Sequence, residues 1–262
     1  MQILVPVRRV LDPAGIVAHR RLRRLFVNRE EYMIEPADHS ALEAALGIKD
    51  DVGAQVVTVS GQPEPDDDTL RRGLAMGADR AIYLMGDGFE EADEAVMARA
   101  LHAVIDQLGG SDLVLTGVTT LDTGQGQLGV RLAEALAWPQ IVGAYSVEVT
   151  NGGVRAVRPE GDEYVLIEAN LPAVVTVASE GLKPRYPDGV RLINVYRGEG
   201  EMADALEQWD VTALLTADEL SPLTASVGHD FPPERERGER IEGTPEEVAQ
   251  VVAETLQQRM RG

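Results

Sequence analysis

Cysteine is absent from all 262 residues, which excludes disulfides, thiol nucleophiles, zinc ribbons and iron–sulfur clusters ligated by this chain. Any redox chemistry has to be borrowed from a bound cofactor. Histidine is nearly as scarce: His19, His39, His102 and His229 are the only 4, and no two have metal-ligand spacing. His102 falls opposite the apolar stripe of its predicted helix and His19 lies in a basic run, so none is assigned a role. Cations are few, with 24 Lys plus Arg against 44 Asp plus Glu and a net charge of −20. A field of that sign repels a nucleic-acid backbone or an anionic bilayer over most of the surface, so neither is a main partner. No stretch reaches the roughly 18 apolar residues of a membrane span. The N-terminus enters the apolar run Ile3 to Val7 with no basic leader. The expectation is therefore a cytoplasmic protein.

What is present reads as globular: 44% of residues are apolar and 26% charged. The length suits one α/β domain with appendages. Five Val, Ile and Leu rich runs recur without alternation, at Ile3 to Val7, Gln55 to Val59, Arg80 to Leu84, Asp112 to Thr116 and Ala173 to Val177. Such runs are strands buried on both faces. Helical periodicity separates them at Thr69 to Met76 and Glu91 to Leu108, where Val96, Met97, Ala100, Leu101, Val104, Ile105 and Leu108 share a face. The alternation implies a doubly wound, mostly parallel sheet. Ser40-Ala41-Leu42-Glu43 has capping-box spacing and predicts a helix from there to about Lys49, leaving Arg8 to Ala37 as a loop or excursion.

After the fourth strand, Gly124 to Gly129 opens a predicted helix, Val130 to Ala137, that ends before Pro139. The hairpin turn Thr150-Asn151-Gly152-Gly153 and a second turn at Gly161-Asp162 mark an antiparallel meander over 144–169. Residues 1–198 form the expected domain. Beyond them, 199–262 is acidic, then Pro and Arg rich, with too few apolar anchors to bury itself, and reads as an arm lying on another surface. It ends in a helix announced by Thr244-Pro245-Glu246-Glu247, whose stripe Val248, Val251, Val252 and Leu256 requires a partner.

The chemically suggestive stretch is Gly117 to Gly129. Glycines allow backbone N–H groups to approach a ligand, and the following helix points its positive end at the same place, so phosphate is the natural guest if the loop is more than structural. Gly124 to Gly129 matches G-x-G-x-x-G, but it follows the fourth strand, and Thr119 to Thr123 intervene where a dinucleotide fingerprint needs an immediate turn. Glu35-Pro36-Ala37-Asp38 and Ser60-Gly61-Gln62-Pro63 are further candidate loops. With Pro6 they could converge on the crevice outside the strand ends. There is no P-loop lysine and no Ser-Gly-Gly pyrophosphatase loop, so nothing is placed to cleave a nucleotide. Arg20 to Arg24 reads first as a solvated run, and Leu182-Lys183-Pro184-Arg185-Tyr186 as either a docking element or a plain turn.

In order along the chain, these residues resemble the β subunit of electron-transfer flavoprotein. The resemblance is carried by Ile3 to Val10, Glu35 to His39, Leu74 to Arg80, Asp122 to Gly129, Trp138-Pro139-Gln140, Leu171 to Thr176, Leu182 to Tyr186 and Glu242 to Glu247. It implies an adenine nucleotide alpha hydrolase-like fold and a noncatalytic subunit of a heterodimer. The α subunit would hold most of a redox FAD, and this chain would bury an adenine nucleotide, usually AMP. The pair would carry electrons from acyl-CoA-type dehydrogenases to a membrane quinone reductase. By position, the nucleotide site would take Pro6, Glu35, Ala37, Gly61, Asp122, Gln125, Gly126, Gln127 and Gly129. Leu182 would be the apolar anchor in a dehydrogenase pocket, with Lys183 and Arg185 fixing its rim.

Three departures from the family pattern bear on that expectation. Its acidic triplet is here Asp122-Thr123-Gly124 and its Asn-Gln-Thr is Gly126-Gln127-Leu128; its Asn before Pro36 is Glu35; and the lysine cluster after the recognition loop is replaced by Val195 to Glu199. The first two leave AMP and the diphosphate of a second FAD as alternative guests. The third leaves the dehydrogenase partner open. A nucleotide-dependent enzyme using Gly124 to Gly129 is the alternative from another class.

Overall fold

The computed structural model describes residues 1–61, 67–89, 92–198, 202, 204–228, 230–233, 238 and 240–260. Gln62 and Pro63 of the second candidate loop, the expected helix start Glu91, Glu199 and His229 lie outside these. The strands are β1 (Gln2–Pro6), β2 (Arg9–Leu11), β3 (Ile16–His19), β4 (Arg24–Val27), β5 (Tyr32–Ile34), β6 (Gln55–Gly61), β7 (Arg80–Met85), β8 (Leu113–Gly117), β9 (Gln140–Ala144), β10 (Ser146–Thr150), β11 (Gly153–Glu160), β12 (Glu163–Asn170), β13 (Ala173–Val177) and β14 (Leu206–Asp210). The helices are α1 (Pro36–Val52), α2 (Asp68–Met76), α3 (Glu94–Gln107), α4 (Leu128–Leu136), α5 (Gly189–Arg197) and α6 (Pro245–Met260).

Seven parallel strands form the central sheet in the order β14-β7-β6-β1-β8-β13-β9. The five apolar runs supply its middle, because strands covered on both faces need apolar side chains in both directions. On β1, Ile3 and Val5 join Leu42, Leu46, Leu70 and Leu74 of α1 and α2, while Leu4 joins Leu101, Val104 and Leu132 of α3 and α4 on the opposite face. Each of these buried leucines contributes about 1.5–3 kcal/mol. The meander β10-β11-β12 adds Val154 and Ala156 to the first face. The excursion between β1 and α1 is not bare loop: β2 pairs with β5 and β3 with β4.

Several sequence expectations are corrected. Helix α1 starts at Pro36, a turn before the Ser40 box, with Glu35 as cap and proline at its first position. The box letters serve tertiary contacts instead: Ser40 Oγ donates to the Ser179 and Leu182 carbonyls, 3.4 and 3.2 Å, and Glu43 receives Arg185. Helix α3 starts at Glu94 behind an Asp93 cap, and α4 starts at Leu128 rather than Val130.

Beyond the strands of the excursion, β9, α5 and β14 were also not expected. Strand β14, Leu-Glu-Gln-Trp-Asp, lies at the sheet edge with only half-buried or exposed residues, so it carries no apolar run to betray it. Arg80 locks it to β7 through Glu207, Nη2 to Oε1 at 2.7 Å. The compact unit therefore does not end at 198.

That unit comprises Met1–Ala18 and Leu25–Val227. The other comprises His19–Arg24 and Gly228–Gly262. Within the second unit, Arg23 Nη2 donates to Asp230 Oδ1 at 2.7 Å and to the Phe231 carbonyl at 2.9 Å. Helix α6 carries the expected capping box: the Thr244 backbone N–H donates to Glu247 Oε2 at 2.8 Å, and the Glu247 N–H to Thr244 Oγ1 at 3.4 Å. Its stripe residues Val251, Val252 and Leu256 are solvent-exposed.

Candidate functional site

The chain leaves β1, crosses to β6 on one side, and later returns to β8 on the other, so the strand order reverses at β1. Crevices open at such points, outside the carboxyl ends of the strands. Here a cavity of about 220 Å³ is lined by Pro6 at the end of β1 and Arg8 beyond it, Gly61 at the end of β6, Asp93 capping α3 with Glu94 and Met97 within it, and Asp122, Thr123, Gln125 and Leu128 beyond β8.

Its floor is an ion pair. The fully buried Asp38 carboxylate accepts from the Gly117 N–H at 2.9 Å, the Arg8 N–H at 3.1 Å and Arg8 Nε at 3.2 Å. Burial pushes the Asp38 carboxyl above the usual aspartate range, against the pull of Arg8 and the two amides. Burial also opposes the charge of Arg8, but Asp38, Glu94 and Asp122 together raise its pKa. Three N–H donors converging on one carboxylate make this an ion pair at neutral pH.

Glu35 joins helix to loop. It is buried, caps α1, and its Oε2 accepts from the Leu121 N–H at 2.9 Å. Burial raises its pKa, partly offset by the amides of Leu121 and Ala37. The glycine loop is folded on itself: the Thr120 N–H donates to the Gln125 carbonyl at 2.7 Å, the Gly124 N–H to the Thr120 carbonyl at 2.9 Å, and the Gln125 N–H to Thr120 Oγ1 at 3.1 Å. Gly124, at φ +68°, makes the turn that a side chain would strain.

Of the residues singled out from sequence, Pro6, Gly61, Asp122 and Gln125 line the crevice. Glu35 and Ala37 are buried at the start of α1, one residue on either side of Pro36. Gly126, Gln127 and Gly129 are not in the wall. A Cβ on Gly126 would strike the Val118 carbonyl oxygen, and one on Gly129 would come within 2.5 Å of Thr176 Cγ2 and 2.9 Å of Thr116 Oγ1. Those glycines let the loop close and α4 approach the sheet. The Gln127 N–H, expected to be offered to a ligand, donates to Glu94 Oε2 at 2.8 Å.

Arg8, Asp93 and Glu94 were missed, although all three follow strands at the same edge of the sheet and topology could have flagged them. Asp93 is doubly used: Oδ1 caps α3 through the Ala95 and Val96 amides, and Oδ2 accepts from the Leu223 and Thr224 amides at 2.9 Å. His39 is largely buried, its Nε2 has no hydrogen-bond partner, and burial lowers its pKa. Among the described residues no group of three or more His, Asp or Glu could hold a metal ion.

At the docking segment, Lys183 and Tyr186 are exposed, while Leu182 is half-buried against the core. Arg185, expected at a partner's rim, is turned onto α1, where it pairs with Glu43 and Asp50.

Comparison with known proteins matches this architecture. The family model of the electron transfer flavoprotein domain aligns with residues 24–214. The chain is 30% identical over 99% of both sequences to the electron transfer flavoprotein subunit β of Thermoanaerobacterium thermosaccharolyticum. The chain belongs to the electron transfer flavoprotein family, among its β subunits. It is also 29% identical, over 99% of both chains, to the acryloyl-CoA reductase electron transfer subunit γ of Anaerotignum propionicum. With subunit CarD of the caffeyl-CoA reductase–Etf complex of Acetobacterium woodii it shares 30% identity over 93% of both chains. Members of this family are electron transfer subunits, and the parallel α/β fold described above is the one expected for them. Among the described residues no helix is long and apolar enough to cross a membrane.

Proposed function

We propose that this chain is the noncatalytic β subunit of a heterodimeric electron transfer flavoprotein, holding AMP in the crevice at the carboxyl ends of β1, β6 and β8. FAD is carried mainly by the α subunit, and the pair moves electrons between acyl-CoA-type dehydrogenases in the cytoplasm and a membrane quinone oxidoreductase. The observation that carries this reading is the convergence of Pro6, Gly61, Asp122 and Gln125 on one cavity, backed by the Glu35 to Leu121 hydrogen bond that joins α1 to the loop. At about 220 Å³ the cavity is small beside the usual range for whole ligands, which favours a mononucleotide over a dinucleotide. A second reading, a second FAD in place of AMP, is favoured by the open space around Gly124, where a Cβ would meet no atom within 4 Å.

The chain's part is to bind and position. FAD supplies the one- and two-electron chemistry, and the protein supplies orientation and electrostatics. The relatives named as reductase subunits support service to a CoA-linked enzyme. The exposed stripe of α6 supports an arm that packs on the α subunit. The exposure of Lys183 and Tyr186 supports a docking role for this segment, with Leu182 half-buried against the core.

Co-expression with the α partner should give a yellow heterodimer that releases AMP and FAD on denaturation, identified by mass. FAD alone at twice the amount would select the second reading. A stable colourless monomer, or one that turns over NAD(H) or ATP unaided, would remove the proposal.

A further inference from the structure

The wall of the crevice contains an anion of its own. Helix α4 begins at Leu128 with Gln127 as its cap, and the Gln127 side chain makes no capping bond because its Oε1 accepts from Arg131 Nε at 2.9 Å. The Gln127 backbone N–H instead donates to Glu94 Oε2 at 2.8 Å. Glu94 is also the first residue of α3, so one carboxylate sits at the positive ends of two helices. Its side chain is only 10% exposed. The other oxygen, Oε1, is buried and has no hydrogen-bond partner; its nearest cation is Arg8 Nη1 at 3.9 Å, and Arg8 is already committed to Asp38. Glu94 thus lines the cavity with half of its acceptor capacity unused, in a wall where Arg8 is outnumbered by Asp38, Asp93, Glu94 and Asp122.

A buried, incompletely satisfied carboxylate is retained at a cost, and it occupies the position at a helix N-terminus that attracts phosphate. We propose that Glu94 is the specificity-determining residue of the crevice: its carboxylate stands in for a phosphate at the start of α4, and an anionic ligand binds only by displacing it. This rests on the nucleotide reading above and refines it. Glu94 weakens the hold on the phosphate half of a ligand and leaves the uncharged nucleoside half unaffected, because its carboxylate and a phosphate compete for the Gln127 N–H. The neutral isostere keeps an oxygen acceptor for that N–H while removing the charge, so the two roles of Glu94, capping and exclusion, separate.

The test uses the full chain co-expressed with its α partner, freed of nucleotide, and titrated calorimetrically with AMP and with adenosine. Glu94→Gln should tighten AMP by about tenfold, the order expected for removing one like charge at close range, and leave adenosine within about twofold. Glu94→Ala, which frees the N–H altogether, should tighten AMP at least as much. Equal shifts for AMP and adenosine, or weaker AMP in both variants, would overturn the role of Glu94 while leaving the nucleotide site standing. Failure of both ligands to bind the parent protein and the variants alike would overturn the nucleotide reading and this inference with it.

Discussion

Arg185 meets Glu43 fork to fork: Nε lies 3.1 and 3.0 Å from Oε1 and Oε2, Nη2 lies 3.0 Å from Oε1, and the Arg185 backbone N–H donates to Oε2 at 2.8 Å. Asp50, two turns further along α1, adds a second carboxylate at 2.9 Å. The hydrogen bonds that Arg185 donates to Glu43 are the main reason its pKa is raised. A segment expected to reach outward is therefore tied to the helix whose N-terminus floors the crevice.

Arg185→Ala should loosen the loop that follows β13 and cost about 1–2 kcal/mol, the lower part of the range for charge-assisted bonds because the arginine side chain is a third exposed and screened. Amide exchange at residues 181–187 should rise while β13 stays protected. Arg185→Lys recovers only part of the effect, since an ammonium cannot reproduce the two-pronged contact. Unchanged protection in Arg185→Ala would mean the fork does not hold the loop.

Leu182 and Tyr186 should behave differently. Leu182 packs on the core, so Leu182→Ala should lower stability by about 1–2 kcal/mol in thermal unfolding, less than a fully buried leucine. Tyr186 is 87% exposed, and Tyr186→Ala should change stability by less than about 0.5 kcal/mol. Under the proposed function, the tyrosine variant slows electron delivery from the dehydrogenase. If Leu182→Ala unfolds at the parent temperature, the side chain is not seated where it is described.

Gly129→Ala drives a methyl group against Thr176 and Thr116, at 2.5 and 2.9 Å, where α4 crosses the sheet. Overpacking of this kind costs about 1–3 kcal/mol. The loss should be equal with and without nucleotide, because Gly129 is outside the cavity wall. A loss seen only with nucleotide bound would return this glycine to the binding site.

Asp93 provides a pH-dependent clasp. Burial works against its charge, but bonds from Val96, Thr224 and Leu223 hold its pKa below the ordinary aspartate value. A carboxyl depressed in the folded state contributes stability above its unfolded pKa and loses it as pH falls through the folded one. Residues 223–224 should therefore detach as the pH drops below the ordinary aspartate value. Asp93→Ala should detach them at neutral pH and cost about 1 kcal/mol for the lost helix cap. Exchange of the Leu223 and Thr224 amides measured against pH checks both; a flat profile in the parent protein would contradict the clasp.

The sequence by itself determined the sheet's interior, the meander and the terminal helix. Runs such as Ile3 to Val7 and Ala173 to Val177 have no polar face to turn outward, the Asn151-Gly152 turn permits a tight hairpin, and Thr244 to Glu247 satisfies its own helix end locally. The crevice was legible in part, because Pro6, Gly61 and Asp122 follow strands whose carboxyl ends share one edge. Only the tertiary structure decided the rest. Edge strand β14 is recruited by register with β7 rather than by its own pattern, Ser40 and Glu43 exchange a local capping role for contacts 139 and 142 residues away, and the amide of Gln127 is claimed by a carboxylate 33 positions earlier. The physical reason is the same in each case. A polar group has several nearly equivalent partners within reach of its own segment, and the packing of distant apolar faces selects which one it meets.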